Sequence, residues 1–175
     1  HDALDAYREV ISANFIPADS VATHWQRFVE GCEEVGREVD GNNWRVSRTI
    51  LVTETDAEAE AYIAKPENAI RYYFYYLMSI MKRAGFSQVI KGLQEFDDAD
   101  LTVDWAIDNI VIAGSPATVA DKILAVRDQV GPFGSIVTTG LDWDDKGLWK
   151  NSMALMANEV MPILNQATTE TIAAQ

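Results

Sequence analysis

Among its 175 residues the chain has one cysteine and two histidines. Cys32 therefore cannot form an internal disulfide, which fits a reducing compartment. Its neighbours place it on the apolar side of a helix, as a buried thiol and not a nucleophile. His1 and His24 alone are too few ligands for a zinc site of the usual kind. No apolar run reaches the ~18–20 residues that a membrane-spanning helix needs. The longest, "YYFYYLMSIM", lies between Arg71 and Lys82-Arg83. No basic segment followed by an apolar one opens the chain, so a cytoplasmic location is expected. The first residue is His1 and not Met, which is expected of a processed product or of a piece of something longer.

Basic residues are also scarce, 14 Lys and Arg against 27 Asp and Glu, for a net charge of −13. That balance argues against nucleic acid and anionic membrane as partners. The acid is spread over "TETDAEAE", "EFDDAD" and "DWDDK", as on a solvated face. Neither G-x-G-x-x-G nor G-x-x-x-x-G-K-[ST] occurs, so no phosphate-binding glycine loop can be read.

What remains is 48% hydrophobic, enough for one globular domain with a sizeable core. "EVISANFI", 9 to 16, reads as a buried strand that ends at Pro17. Ser20 is expected to cap a helix whose face carries Val21, Trp25, Phe28, Val29, Cys32 and Val35, with Gly36 as its stop. "WRVSRTILVT", 44 to 53, is β-branched and aromatic and reads as one strand. Thr55 and Glu58 then form a capping box. After Pro66 a longer helix is expected to run to about Ala84, ended by Gly85, and to bury Ile70, Tyr73, Phe74, Leu77, Met78 and Met81. That stripe reads as core, or as a partner-facing surface if nothing covers it.

Residues 86 to 108 are expected to be an irregular insertion or mobile loop. "NIVIA", 109 to 113, reads as a strand. A helix over 116 to 130 turns Val119, Ile123, Val126 and Val130 inward, and "GSIVTTG", 134 to 140, is the last strand. Asp145 or a neighbour begins a closing helix with Leu148, Leu155, Met156, Val160 and Ile163 on one side. Residues 165 to 175 are expected to fray. The domain is thus expected over 1–164, with inserted material at about 65–108.

Strands alternating with helices predict an α/β fold with a parallel sheet and right-handed crossovers. Four βα units are half of a closed eight-stranded barrel, or a small doubly wound sheet. In both, function sits at the carboxyl ends of the strands. Those ends carry Ser12 to Phe15, Thr53 to Thr55, Gly114-Ser115 and Thr138 to Trp143. Glu54 and Asp142 are their carboxylates, with no Lys, His or Cys beside them and no Ser/His/Asp arrangement. Glu54 reads as a solvated residue before a helix. Asp142 either ends a strand or faces a ligand, and Trp143 either packs or stacks on a planar ligand. Asn14 either bonds a ligand or turns the chain before Pro17. Arg45 and Arg48 read as lying towards the start of their strand, suited to salt bridges. His24 reads as lying on a helix away from the strand ends. Ser115 and Pro116, in "IAGSPATVADKIL", make an N-cap and a first helical residue, a junction that needs no ligand.

The succession "IAGSPATVADKIL", "FGSIVTTGLDW", "SMALMANEVMPIL", with Val160-Met161-Pro162-Ile163-Leu164 closing it, resembles the C-terminal end of the luciferase-like flavin-dependent monooxygenases. Upstream, the helix, "WRVSR", strand and "TDAEA" follow in that family's order, so the resemblance covers roughly residues 9 to 164. It implies strands five to eight of a TIM-type (β/α)8 barrel of about twice this length. It also implies reduced FMN, or a deazaflavin, with O2 as co-substrate and a flavin reductase supplying the FMNH2. The reaction implied is insertion of one oxygen atom into a small organic substrate. Asn14, Asp142 and Trp143 would line the flavin cavity, while the catalytic residues are not assigned. The remaining expectations are a homodimer or a missing N-terminal half as the completing partner, a non-catalytic half-barrel or flavodoxin-like binding module, and an inactive fragment.

Overall fold

The structure, a computed structural model, describes residues 10–173. His1 and the Glu9 start expected for the first strand lie outside the described residues. The elements form two compact units. One comprises the described residues up to Thr49 with Phe74–Val111 and Val126–Gly140, and the other Ile50–Tyr73, Ile112–Ala125 and the described residues from Leu141.

The first unit holds a three-stranded parallel sheet in the order β1 (Val10–Ser12), β2 (Trp44–Arg48), β5 (Ser135–Thr138). Ser12 stands opposite Val46, and Arg48 opposite Thr138. Helix α1 (Ala18–Glu34) starts before Ser20, the expected cap. Pro17, extended at ψ 161°, makes the break instead, as a proline can just outside a first turn. Gly36, at φ 66°, ends it as expected. Trp44 is fully buried. Its ring stacks on Trp25 at 5.1 Å and meets Phe133 edge-on at 6.3 Å.

The acidic stretch over 86 to 108, expected to be irregular, contains α4 (Ser87–Lys91) and α5 (Val103–Ile110). Thr102 Oγ1 accepts from the Trp105 N–H at 3.1 Å and caps α5, which buries Ala106, Ile107 and Ile110. The strand expected from Asn109 is displaced accordingly, because Asn109 and Ile110 finish that helix.

The second unit pairs β3 (Ile50–Val52) with β4 (Ile112–Gly114), again in parallel. The single strand expected over 44 to 53 is thus divided at Thr49, and its two halves join different sheets. Helix α2 (Asp56–Ala64) has the expected Thr55 cap, Oγ1 accepting from Glu58 N–H at 3.3 Å. The returning Glu58 carboxylate accepts from Glu54 N–H, one residue earlier than in a standard capping box. Asn68 joins α2 to α3 (Ala69–Ala84), its amide donating to the Lys65 carbonyl at 2.8 Å and its Oδ1 accepting from Arg71 N–H at 2.9 Å. Along α3, Ile70, Phe74 and Met78 are buried as expected, while Tyr72, Tyr75, Tyr76 and Ile80 face outward.

Helix α6 (Pro116–Val130) buries Val119, Ile123 and Val130, as its spacing requires. Helix α7 (Lys146–Leu155) begins at the expected Asp145 cap. A π turn over Met156–Val160 then leads into α8 (Met161–Ala173), which extends through part of the expected tail. That wider turn shifts the helical phase. Ile163, expected inside, is 39% exposed, and Leu164 at 8% takes its place.

Candidate functional site at the carboxyl edge of the strands

In the first unit the parallel register brings three strand ends to one level. Ser12, the last residue of β1, pairs with Val46, and Arg48, the last of β2, pairs with Thr138. Ser12 and Thr49 are fully buried at this edge, and Asn14 is 9% exposed. The Asn14 amide reaches Thr49 Oγ1 at 3.5 Å, and the hydroxyls of Ser47 and Thr139 meet at 3.1 Å. The Thr139 N–H extends the β5 pairing by donating to the Arg48 carbonyl at 2.9 Å.

Arg48 is the residue that the sequence reading misplaced. It closes β2, and only 2% of it is exposed. Its Nη1 donates to the carbonyls of Ser47 at 2.9 Å and Ala13 at 3.3 Å. Nη2 is buried with no hydrogen-bond partner among the described residues. Burial pushes its pKa down to about 10, and no carboxylate opposes that shift. The salt bridge expected of Arg48 is therefore replaced by two carbonyl bonds and one orphaned donor.

His24 is closer to the strand ends than expected. Helix α1 packs its ring over β1, so that Nδ1 lies 3.0 Å from Ser12 Oγ. The indole N–H of Trp44 donates to the same hydroxyl at 3.0 Å. An indole nitrogen only donates, so Ser12 accepts from Trp44. The one arrangement that leaves no buried proton unused then has Ser12 donating to His24 Nδ1, with the imidazole hydrogen on Nε2. Burial first, and the nearby Arg48 second, lower the His24 pKa, which keeps the ring neutral and able to accept.

In the second unit, Asp142 and Trp143 are exposed, Trp143 by 44%. Asn14 belongs to the first unit, so the three residues expected to line one cavity are divided between the units. Their loop is anchored by Asp144, which the sequence reading passed over. The Asp144 carboxylate accepts from the Tyr62 hydroxyl at 2.9 Å, Trp149 Nε1 at 2.9 Å and the Ala69 N–H at 3.0 Å. Burial works against its charge, but the bonds from Trp149, Tyr62 and the backbone outweigh it and hold the carboxyl below the ordinary range. Glu54 is exposed and accepts from Asn151 at 3.1 Å.

The junction "AGSPATV" carries an anion of its own. Asp56 Oδ1 accepts from the Ser115 N–H at 2.6 Å, and Oδ2 accepts from Thr118 Oγ1 at 3.0 Å. A carboxylate from α2 thus sits where a helix N-terminus would otherwise receive a phosphate. No group of three or more His, Cys, Asp or Glu side chains suited to a metal occurs among the described residues. No described helix is long and apolar enough to cross a membrane.

Arg48 thus leaves a guanidinium donor unsatisfied at a polar strand edge. No protein-family model matches the chain. It is 31% identical over 150 residues to 3,6-diketocamphane 1,6-monooxygenase of Pseudomonas putida, a match that covers 85% of this chain and 39% of that protein. Limonene 1,2-monooxygenase of Rhodococcus erythropolis is 25% identical over 155 residues, covering 88% of this chain and 37% of that protein. Among solved structures, the oxygenating constituent of 3,6-diketocamphane monooxygenase from Pseudomonas putida is a type II Baeyer–Villiger monooxygenase in complex with FMN. It superposes with a TM-score of 0.74 at 30% identity, over 88% of this chain and 42% of that one. The chain spans about two fifths of the length of these relatives. With parallel strands, helices and the Asp56-capped junction in the order that the sequence resemblance requires, the chain is a homologue of the luciferase-like flavin-dependent monooxygenases.

Proposed function

We propose that this chain is the C-terminal, strand five to eight portion of a TIM-type barrel that uses FMNH2 and O2 to insert one oxygen atom into a small organic substrate. The observation that carries this reading is the 30% identity and TM-score of 0.74 to a structure in complex with FMN. The open strand edges support it. Among the described residues β1 and β5 each pair on one side only, and Val137 on β5 is 37% exposed. Unpaired edges of this kind are ordinarily covered or closed, and further barrel strands, or a second copy of the chain, would do so.

In this reading Asn14, Asp142 and Trp143 hold the flavin: Asn14 by its amide, Asp142 as an acceptor for ring or ribityl donors, and Trp143 by stacking. Reduced flavin, when bound, supplies the electrons that activate oxygen, and a separate flavin reductase provides it. The protein's own part is to orient substrate against the ring and to exclude water. A protein extended to the length of its relatives should oxygenate a cyclic ketone or terpene when given FMNH2 and air, with the product seen by mass spectrometry. Consumption of FMNH2 with no oxygenated product from such compounds would count against the reading.

A further inference from the structure

We propose that the outer surface running from α3 into α4, around Tyr75 and Phe86, is where two copies of this chain associate. The distribution of acid makes the case first. The chain has 27 acidic residues, yet none falls between Glu67 and Glu95, and no other stretch without acid is half as long. At a net charge of −13 two copies repel each other over most of their length. This run is where they can meet without setting carboxylate against carboxylate. A helix face turned to water in so acidic a chain would carry its share of charge. Instead Tyr76 and Ile80, four residues apart on one face of α3, stand exposed with Tyr75 beside them. The Phe86 N–H then donates back to the Met81 carbonyl at 2.8 Å, so α4 starts against the end of α3. Phe86, Val89 and Leu93 are exposed there as well.

The make-up of the surface fits a second copy. Aromatic side chains in excess and carboxylates and lysines in deficit mark the core of a protein interface. Tyr75 is 64% exposed and Phe86 58%. Aromatic side chains carry ~150–250 Å² each, so the three rings alone expose about 350 Å². With Ile80, Val89 and Leu93 each copy offers about 600 Å², and a pair would bury roughly 1,200 Å², the lower end of the range for specific interfaces. The nearby lysines are drawn away from it. Lys82 Nζ donates to the Asp98 and Leu101 carbonyls at 2.8 and 2.9 Å, and Lys91 is buried in an ion pair with Asp98. Two-fold pairing sets one surface against itself, which suits a tyrosine, whose hydroxyl both donates and accepts. The surface lies on helices, away from the open edges of β1 and β5, and the inference does not depend on flavin binding.

The test is sedimentation equilibrium of the full chain over a wide range of concentration. Wild type should pass from 19.5 kDa to twice that mass as concentration rises. Sodium chloride should favour the dimer, because it screens the net negative charge. Tyr75→Glu and Ile80→Glu place a carboxylate at exposed positions, and each should weaken pairing by about tenfold or more with helical circular dichroism unchanged. Phe86→Ser, in the turn between the helices, should show the same loss without altering either helix. Tyr75→Phe, which keeps the ring, should pair nearly as well as wild type, and so should Val137→Glu on β5. A chain that stays at 19.5 kDa throughout would overturn the proposal. So would a dimer that withstands the glutamates at positions 75 and 80. A dimer lost only in Val137→Glu would place the pairing at the sheet, and one that dissociates in salt would make it a contact between charges; either contradicts the proposal.

Discussion

The Tyr62 hydroxyl donates to the Asp144 carboxylate at 2.9 Å, and through that acid it ties the loop bearing Asp142 and Trp143 to helices α2 and α3. Tyr62 is 4% exposed, so its hydroxyl has little water to turn to. A hydrogen bond to a charged acceptor contributes about 1.5–3 kcal/mol. Tyr62→Phe should destabilise the protein by that amount in urea denaturation, leaving Trp149 and Ala69 still bonded to Asp144. A loss below about 0.5 kcal/mol, the scale of an ordinary surface change, would mean that the loop is held by other contacts.

The π turn sets which residue of α8 is inside. Leu164→Ala should cost about 2–5 kcal/mol, as for a buried leucine. Ile163→Ala, at an exposed site, should cost a small fraction of that. Equal costs, or the reverse order, in chemical denaturation would show that α8 continues α7 in phase.

Gly114 closes β4 at φ 150°, and a β-carbon there would lie 2.7 Å from both Asp56 Oδ1 and Thr118 Cγ2. Gly114→Ala therefore strains the backbone and pushes Asp56 off the Ser115 N–H. The mutant should melt clearly lower than wild type, and Asp56→Ala should melt lower too. The double mutant should be less destabilised than the sum of the two, because both changes remove one interaction. Additive losses would separate the glycine from the cap.

His24 gives the stability a pH dependence with a definite sign. Its folded pKa lies below the ordinary 6.5, owing to burial and then to Arg48. The unfolded chain therefore takes up a proton near that pH while the folded protein does not. The contribution is fully present above about pH 6.5 and is lost as the pH falls through the window beneath it. His24→Gln cannot titrate, and its amide oxygen can still accept from Ser12. Between pH 7.5 and 5.5 the wild type should lose more stability than this variant. Parallel losses would contradict the assignment.

Local signals were readable where they rest on neighbours in sequence. Gly36 and Gly85 stop their helices because both adopt positive φ. Thr55 caps α2, and the Val119, Ile123 and Val130 face of α6 follows from spacing alone. Helix α5 was missed although its Thr102 cap and its Ala106, Ile107 and Ile110 face are local, because the acidic residues around them masked the pattern. The exposure of Ile163 was not legible, since a π turn leaves no residue signature in "MANEV". The site residues were hidden for a different reason. Arg48 is distinguished by a carboxylate it does not have, and His24 by a hydroxyl 12 residues away on a strand. Asp144 gathers donors from Tyr62, Ala69 and Trp149, which only the folded chain brings together.

The most direct test of the account is a titration of FMN, oxidised and then reduced, into this chain, followed by flavin and tryptophan fluorescence. The account predicts saturable binding that is weakened by Asn14→Ala and by Trp143→Ala. Absence of saturable binding, or both variants binding as tightly as wild type, would contradict the claim that these strand ends hold the flavin.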